Sequence, residues 1–267
     1  MDSAQPIIKI KNLWKEYGDN IVLEKLNLEV QEGDFVSIVG ASGCGKTTFL
    51  NMLLGTESPS RGEIMLDGEP LKNEPSVERG IVFQKYSVFP HLTALQNVML
   101  GVEFDAGGVS SSLLGRLTGG EKAKAQQVAL AMLEQVGLHA AKDKYPHELS
   151  GGMRQRLSIA QSLVKKPRIL LLDEPFGALD PGIRKDMHQL IQSLCAEQSL
   201  TVFMITHDLS EGFHLGNRLW VFDHVRKDEQ APERFGAQIT FDIDIDKQVV
   251  PKLVSDALPE ITQQKIA

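Results

Sequence analysis

The chain has little of several things, and each shortage narrows what it can be. Only two cysteines occur among 267 residues, Cys44 and Cys195. They form neither a CxxC pair nor a zinc-ligand spacing, so disulfide scaffolds and zinc modules are excluded and a reducing compartment fits. Positive charge is in deficit: 28 Lys and Arg stand against 35 Asp and Glu, a net charge of −7. Proteins whose main task is to hold nucleic acid need clustered cations, so that class is disfavoured. No apolar run approaches the roughly 18–20 residues of a membrane span. The first twenty residues, MDSAQPIIKIKNLWKEYGDN, have no apolar stretch of signal-peptide type. What remains is a chain with 42% hydrophobic residues, able to bury a sizeable core without staples.

Patterning divides that chain. Residues 7–13 and 21–30 alternate with period 2, as strands do. Residues 34–39 form a short apolar strand that runs into a glycine-rich turn, with a helix expected over about 46–54. Residues 63–66 and 80–83 read as further strands. From 92 to 162 the apolar spacing turns helical, interrupted by the Gly- and Ser-rich stretch FDAGGVSSSLLGRLTGG, which reads as a surface loop. A helix is expected over 149–164. The continuous apolar run at 168–173 suits a buried parallel strand. A helix at 183–197 and strands at 200–206 and 219–222 follow. In the tail, 239–246 alternates sharply as an amphipathic strand, and 247–264 fits a short amphipathic helix. The order predicts an α/β fold with a helical insert.

The turn after the third strand reads Gly40-Ala41-Ser42-Gly43-Cys44-Gly45-Lys46-Thr47, matching G-x-x-x-x-G-K-[ST], with Thr48 next as a further ATP-binding candidate. Glycines let the backbone curl so that N–H groups converge on phosphate oxygens, and the next helix turns its positive end to the same anion. Lys46 is placed to reach the β- and γ-phosphates, and Thr47 to offer a hydroxyl to Mg²⁺. Cys44 reads as a small residue inside the loop. The buried strand at 168–173 ends in Asp173-Glu174. Alone, such a pair would read as a solvated strand edge. Beside a phosphate loop, Asp173 suits the Mg²⁺ shell and Glu174 suits polarising a water.

Further segments carry a family resemblance. Leu149-Ser150-Gly151-Gly152-Met153 resembles the ABC signature and precedes Asp173 at the family's distance, Ser150 lying 23 residues before it. Gln84 resembles the Q-loop glutamine, Ala178-Leu179-Asp180 the D-loop, and His207 the switch histidine. Tyr17 sits where the family has an aromatic that stacks on adenine. Over residues 7–225 the chain is similar to ABC ATPases. That resemblance implies a P-loop core, with a RecA-like parallel sheet plus an antiparallel β-subdomain, carrying a helical signature subdomain at about 85–165. Residues 226–267 would be an extension that is not an independent domain.

The resemblance also implies two ATP molecules in a head-to-tail dimer, each gripped by one copy's phosphate loop and the other's Ser150, Gly151 and Gly152. Glu174, His207 and Gln84 would be catalytic, with Thr47, Gln84 and Asp173 around Mg²⁺. A single cassette, the LSGGMRQR signature and the segment YSVFPHLTALQNV resemble importers that power a separate permease fed by a periplasmic binding protein. Phe89, Pro90 and Leu92 would line the permease-docking groove. The nitrate/sulfonate/taurine group is the nearest likeness, and the tail is similar to a urea-carboxylase or guanidine-associated branch. Such a subunit would lie on the cytoplasmic face of the inner membrane and would not bind nucleic acid. The alternative is a soluble, non-transport ABC ATPase, such as a cluster-assembly or nucleic-acid-associated factor. The segment Leu117-Thr118-Gly119-Gly120-Glu121 imitates a signature but begins too far upstream, and reads as loop.

Overall fold

A computed structural model describes residues 5–84, 87–103, 119–226, 228 and 230–245. The chain divides into two compact units, one of residues 1–76 with 199–267, the other of 77–198.

The first unit holds two sets of strands. β1 (Ile8–Tyr17), β2 (Asn20–Val30), β4 (Arg61–Leu66) and β5 (Glu69–Pro70) form an antiparallel sheet in the order β2-β1-β4-β5. Register pairs Ile8 with Val30 and Ile10 with Leu28, so the apolar members of each alternation share one face. β3 (Phe35–Gly40), β8 (Thr201–Ile205), β9 (Arg218–Asp223) and β10 (Gln238–Asp244) run in the order β10-β9-β3-β8. β3 is parallel to both neighbours, aligning Ile38 with Ile205 on one side and Trp220 on the other. A strand flanked on both sides is buried along its length, which is why 34–39 reads as an unbroken apolar run.

β3 leads into α1 (Lys46–Leu54). Phe49 of α1 meets Trp220, Phe203 and Phe222 at ring-centroid distances of 6.1, 6.5 and 5.5 Å, in edge and tilted geometries that suit aromatic quadrupoles. A seven-residue helix, here α6 (Leu209–Leu215), precedes β9. β10 pairs antiparallel with β9, and its Ile243 packs with Leu219, Val221 and Val39. The alternation in the tail therefore does produce a strand. The helix expected at 247–264 lies outside the described residues.

The second unit contains the parallel pair β6 (Arg79–Val82) and β7 (Ile169–Asp173), with Gly80 aligned to Leu170. Around it are α2 (Ala94–Glu103), α3 (Gly119–Gln135), α4 (Gly151–Leu163) and α5 (Pro181–Gln198), with α2 packed on α3 and α4. The loop expected after α2 lies mostly outside the described residues. Its last two residues, Gly119 and Gly120, are helical instead. They open α3, and Glu121 in that first turn complements the helix dipole.

Candidate functional site

The phosphate loop belongs to the first unit. α1 begins at Gly45, which adopts the left-handed conformation (φ 86°) and supplies no side-chain cap. The N–H groups of the first turn are therefore left to whatever anion approaches. A side chain at Gly45 is doubly forbidden: a Cβ there would lie 2.8 Å from both Leu23 Cδ2 and Val22 Cγ1. Lys46 Nζ donates to the carbonyls of Gly40 (2.9 Å) and Ala41 (2.8 Å), which holds the ammonium inside the curl of the loop. This arrangement of N–H groups, helix end and ammonium fits a polyphosphate. Ser42, Gly43 and Thr47 are exposed along the same loop. Cys44 is buried, and burial raises its thiol pKa above the ordinary value while the Lys46 charge opposes the rise. A protonated, buried thiol is a weak nucleophile, in keeping with a packing role.

Tyr17 is half exposed, at 49%, at the end of β1. Its hydroxyl bonds to the Glu57 carboxylate, and Lys15 Nζ lies 4.6 Å from its ring centroid. Partial burial, then the Glu57 carboxylate, raise the phenol pKa; a hydrogen bond with Thr48 opposes the rise. Glu57 also accepts from Asn51 Nδ2 at 3.1 Å. Burial alone would push its carboxyl up, but the bonds from Tyr17 and Asn51 and the Lys15 charge outweigh it, and its pKa falls below the ordinary value. Glu57 is thus a fixed anchor that ties the aromatic ring to α1. Nothing in the sequence around it marked it out.

His207 is exposed just beyond β8. The residues on either side of it are pinned. Thr206 Oγ1 bonds to the Glu211 carboxylate and accepts from Asp208 N (3.0 Å). Asp208 caps α6 by accepting from the N–H groups of Ser210 (2.9 Å) and Glu211 (3.2 Å). The acidic residues at 208 and 211 follow the spacing of a capping box. That pattern was the available sign of α6, which hydrophobic spacing did not reveal.

In the second unit, β7 delivers Asp173 and Glu174 side by side. Glu174 adopts a positive φ of 48°, uncommon for a residue with a side chain. Gln84 Nε2 donates to Glu174 Oε2 at 3.1 Å, so the two residues selected separately from the sequence meet. Asp180 is exposed at the start of α5, and its carbonyl accepts from Arg184 N at 2.8 Å.

The signature lies at the head of α4. Ser150 is its N-cap, with Oγ accepting from Met153 N at 3.3 Å. Gly151 and Gly152 form the first turn. A Cβ on Gly152 would sit 2.5 Å from Ile183 Cγ2, so the close approach of α4 to the start of α5 requires glycine there. Farther along α4, Gln155 is 1% exposed, and among the described residues neither polar atom of its amide finds a partner.

The turn before α2 is held by a residue the sequence did not single out. Asn97 is fully buried. Its amide nitrogen donates to the carbonyls of Phe89 (3.1 Å), Leu92 (3.0 Å) and Thr93 (3.0 Å), and its oxygen accepts from Phe89 N (2.7 Å). Phe89 itself stays 42% exposed. Among the described residues no group of three or more His, Cys, Asp or Glu gathers as a metal site. No described helix is long and apolar enough to cross a membrane.

An α/β fold with a glycine-rich loop ahead of α1, a strand-end carboxylate pair and a serine-capped helix has the make-up of an ATP-binding cassette. The chain belongs to the ABC transporter family, whose sequence model matches residues 23–177. It is 38% identical over 231 residues to the spermidine/putrescine import ATP-binding protein PotA of Chromobacterium violaceum, covering 85% of this chain and 60% of that one. It is 41% identical over 202 residues to the nitrate import ATP-binding protein NrtC of Synechococcus elongatus, covering 76% of this chain and 29% of that one. The chain thus spans less than two thirds of either relative's length. Among solved structures it resembles a dimeric post-hydrolysis state of the ATP-binding cassette MJ0796 bound to ADP and Pi. The TM-score is 0.70 at 30% identity, covering 89% of this chain and 98% of that one.

Proposed function

We propose that the protein is the ATP-hydrolysing subunit of an importer and drives a small solute through a separate membrane permease. The observation that carries this reading is the Lys46 ammonium held within the curl ahead of the uncapped end of α1. A polyphosphate would replace the loop carbonyls as the partner of Lys46 and accept from the first-turn N–H groups, while Tyr17 stacks on the base. Mg²⁺, when bound, supplies charge neutralisation at the phosphates. The ion would take Thr47, Gln84 and Asp173 together with phosphate and water oxygens.

Glu174 orients and deprotonates the attacking water, and Gln84 keeps that carboxylate placed. His207, between its two pinned neighbours, contacts the γ-phosphate. Two copies assemble head to tail, a reading supported by the likeness to a cassette that is dimeric. Ser150, Gly151 and Gly152 of one copy then face the phosphates of the other, with Asp180 near the seam. Ser150 Oγ accepts from its own helix, which leaves its O–H to donate. Residues 1–225 act as the ATPase domain, with a helical subdomain at about 85–165, and 226–267 as its extension. The permease docks on the turn that Asn97 braces, which keeps the subunit peripheral on the cytoplasmic face of the inner membrane. A periplasmic binding protein supplies the solute. The nitrate/sulfonate/taurine group, or its urea- or guanidine-associated branch, is the substrate class we favour. The likeness to a polyamine importer subunit sets the competing class.

The test uses Glu174→Gln protein, purified from gently solubilised membranes with Mg-ATP. Copurification of a multi-span membrane protein is the expected result. Recovery from the cytosol alone, with soluble partners, would overturn the transport reading while leaving the ATPase intact.

A further inference from the structure

We infer that Glu24 is a positioning residue for the phosphate loop, and that it acts by clasping the C-terminal extension beneath it. Glu24 lies on β2, is 1% exposed, and is not among the nucleotide contacts proposed above. Its carboxylate pairs with Arg226, accepts from Gly236 N at 3.3 Å and accepts from Gln238 Nε2 at 3.3 Å. All three partners come from the extension. The backbone repeats the clasp: Glu24 N donates to Ala237 O and Ala237 N to Val22 O, both at 3.0 Å. Residues 236–238 thus lie along 22–24 as a short parallel strap. Gly236 allows the approach, since a Cβ there would meet Leu23 C and Glu24 N at 2.9 and 3.0 Å. The Arg226 guanidinium is held from its other side by Phe235, 4.2 Å from the ring centroid.

The residues gripped by this strap are the ones the phosphate loop leans on. Val22 and Leu23 are the side chains that leave no room for a Cβ at Gly45, the left-handed residue that starts α1. Every residue in the chain of contacts, from Arg226 through Glu24 to Gly45, belongs to the first unit. A buried carboxylate stripped of its cation relaxes toward water. Here that movement would draw residues 22–24 away from Gly45 and let the first-turn N–H groups swing. Phosphate binding depends on those groups being held in advance. The extension therefore tunes nucleotide affinity without touching nucleotide. The inference rests on the loop binding ATP.

The experiment measures the Kd for Mg-ATP by calorimetry and the Tm without nucleotide, on the full chain. Glu24→Gln keeps the side-chain volume and removes the charge. Arg226→Ala, at a half-exposed position, is the milder second variant. Asp242→Asn is the control, because Asp242 also secures the extension, through Arg218 and the Trp220 N–H, without a bond to residues 22–24. Glu24→Gln and Arg226→Ala are expected to weaken Mg-ATP about ten-fold, the worth of one charge-assisted phosphate contact. Asp242→Asn is expected to lower Tm with Kd unchanged. Unchanged Kd in both clasp variants, or equal weakening in Asp242→Asn at the same loss of Tm, would reduce Glu24 to a structural role and overturn the inference. Absence of Mg-ATP binding by the unaltered protein would instead overturn the phosphate loop reading itself.

Discussion

Replacing Glu174 by alanine and, separately, by glycine isolates the backbone strain at the end of β7. At φ 48° a residue with a Cβ crowds the following carbonyl, at a cost of roughly 1–2 kcal/mol. Both substitutions lose the Gln84 bond, which is exposed and contributes little to stability. The two variants therefore differ only in the Cβ. Alanine keeps the strain, and glycine removes it. Glycine gives back about 0.4–1 kcal/mol through the greater freedom of its unfolded chain. The net expectation is a glycine variant about 1 kcal/mol more stable than the alanine variant, or roughly 2–4 °C in Tm for a chain of this size. At ordinary positions the order is the reverse, by roughly 0.5–1 kcal/mol. Urea unfolding at constant m-value reads the difference, and ATP turnover is expected to vanish in both. An alanine variant as stable as the glycine variant would show that no strain is held at Glu174. Persistent turnover in either would remove Glu174 from the chemistry.

Further outcomes follow from the geometry. Lys46→Ala is expected to abolish Mg-ATP binding measured by calorimetry, since it removes the ammonium set within the loop. Gln155→Met is expected to raise Tm, by about 1–3 kcal/mol of relieved desolvation, because a buried amide without partners gives way to an apolar side chain of similar size. Asn97→Ala is expected to cost about 2–4 kcal/mol in urea unfolding and to lose the permease in copurification while Mg-ATP affinity holds, because four bonds bracing residues 89–93 disappear.

Much of this architecture is legible in sequence wherever one physical signal dominates. The helix expected at about 46–54 is α1 as found, because a glycine turn opens it and Gly55, in the left-handed conformation, closes it. The buried strands at 34–39, 168–173 and 200–206 differ by a residue or so from β3, β7 and β8, since continuous apolar runs bounded by turns have few other readings. β1 runs on to Tyr17, beyond the alternation that ends near residue 13. Register shifts after Ile10 and after Leu13 break the period while pairing continues. β5 is two residues long and α6 seven, too short for either period to declare itself. At the site, motif residues are visible because their chemistry demands fixed spacing. Their supports are not: Glu57, Asn97 and Glu24 act through contacts that no local pattern encodes.

Those supports show how a loop full of exposed polar atoms can stay rigid. The start of α1 lacks a side-chain cap, and a capping residue there would contribute about 1 kcal/mol. The offset lies one turn along the same helix. Phe49 is completely buried among Phe203, Trp220 and Phe222, and its burial stabilises by about 1.5–3 kcal/mol before any gain from ring geometry. Three residues separate Phe49 from Lys46, so both lie on one face of α1, and fixing the ring fixes the axis along which the ammonium and the first-turn N–H groups point. The second unit follows the same plan. β7 is buried up to Leu172 and Phe176 is fully buried against His188, with the strained Glu174 lying between them. In both units the atoms offered to a ligand are costly to the free protein, and the apolar residues next to them in sequence hold those atoms in place.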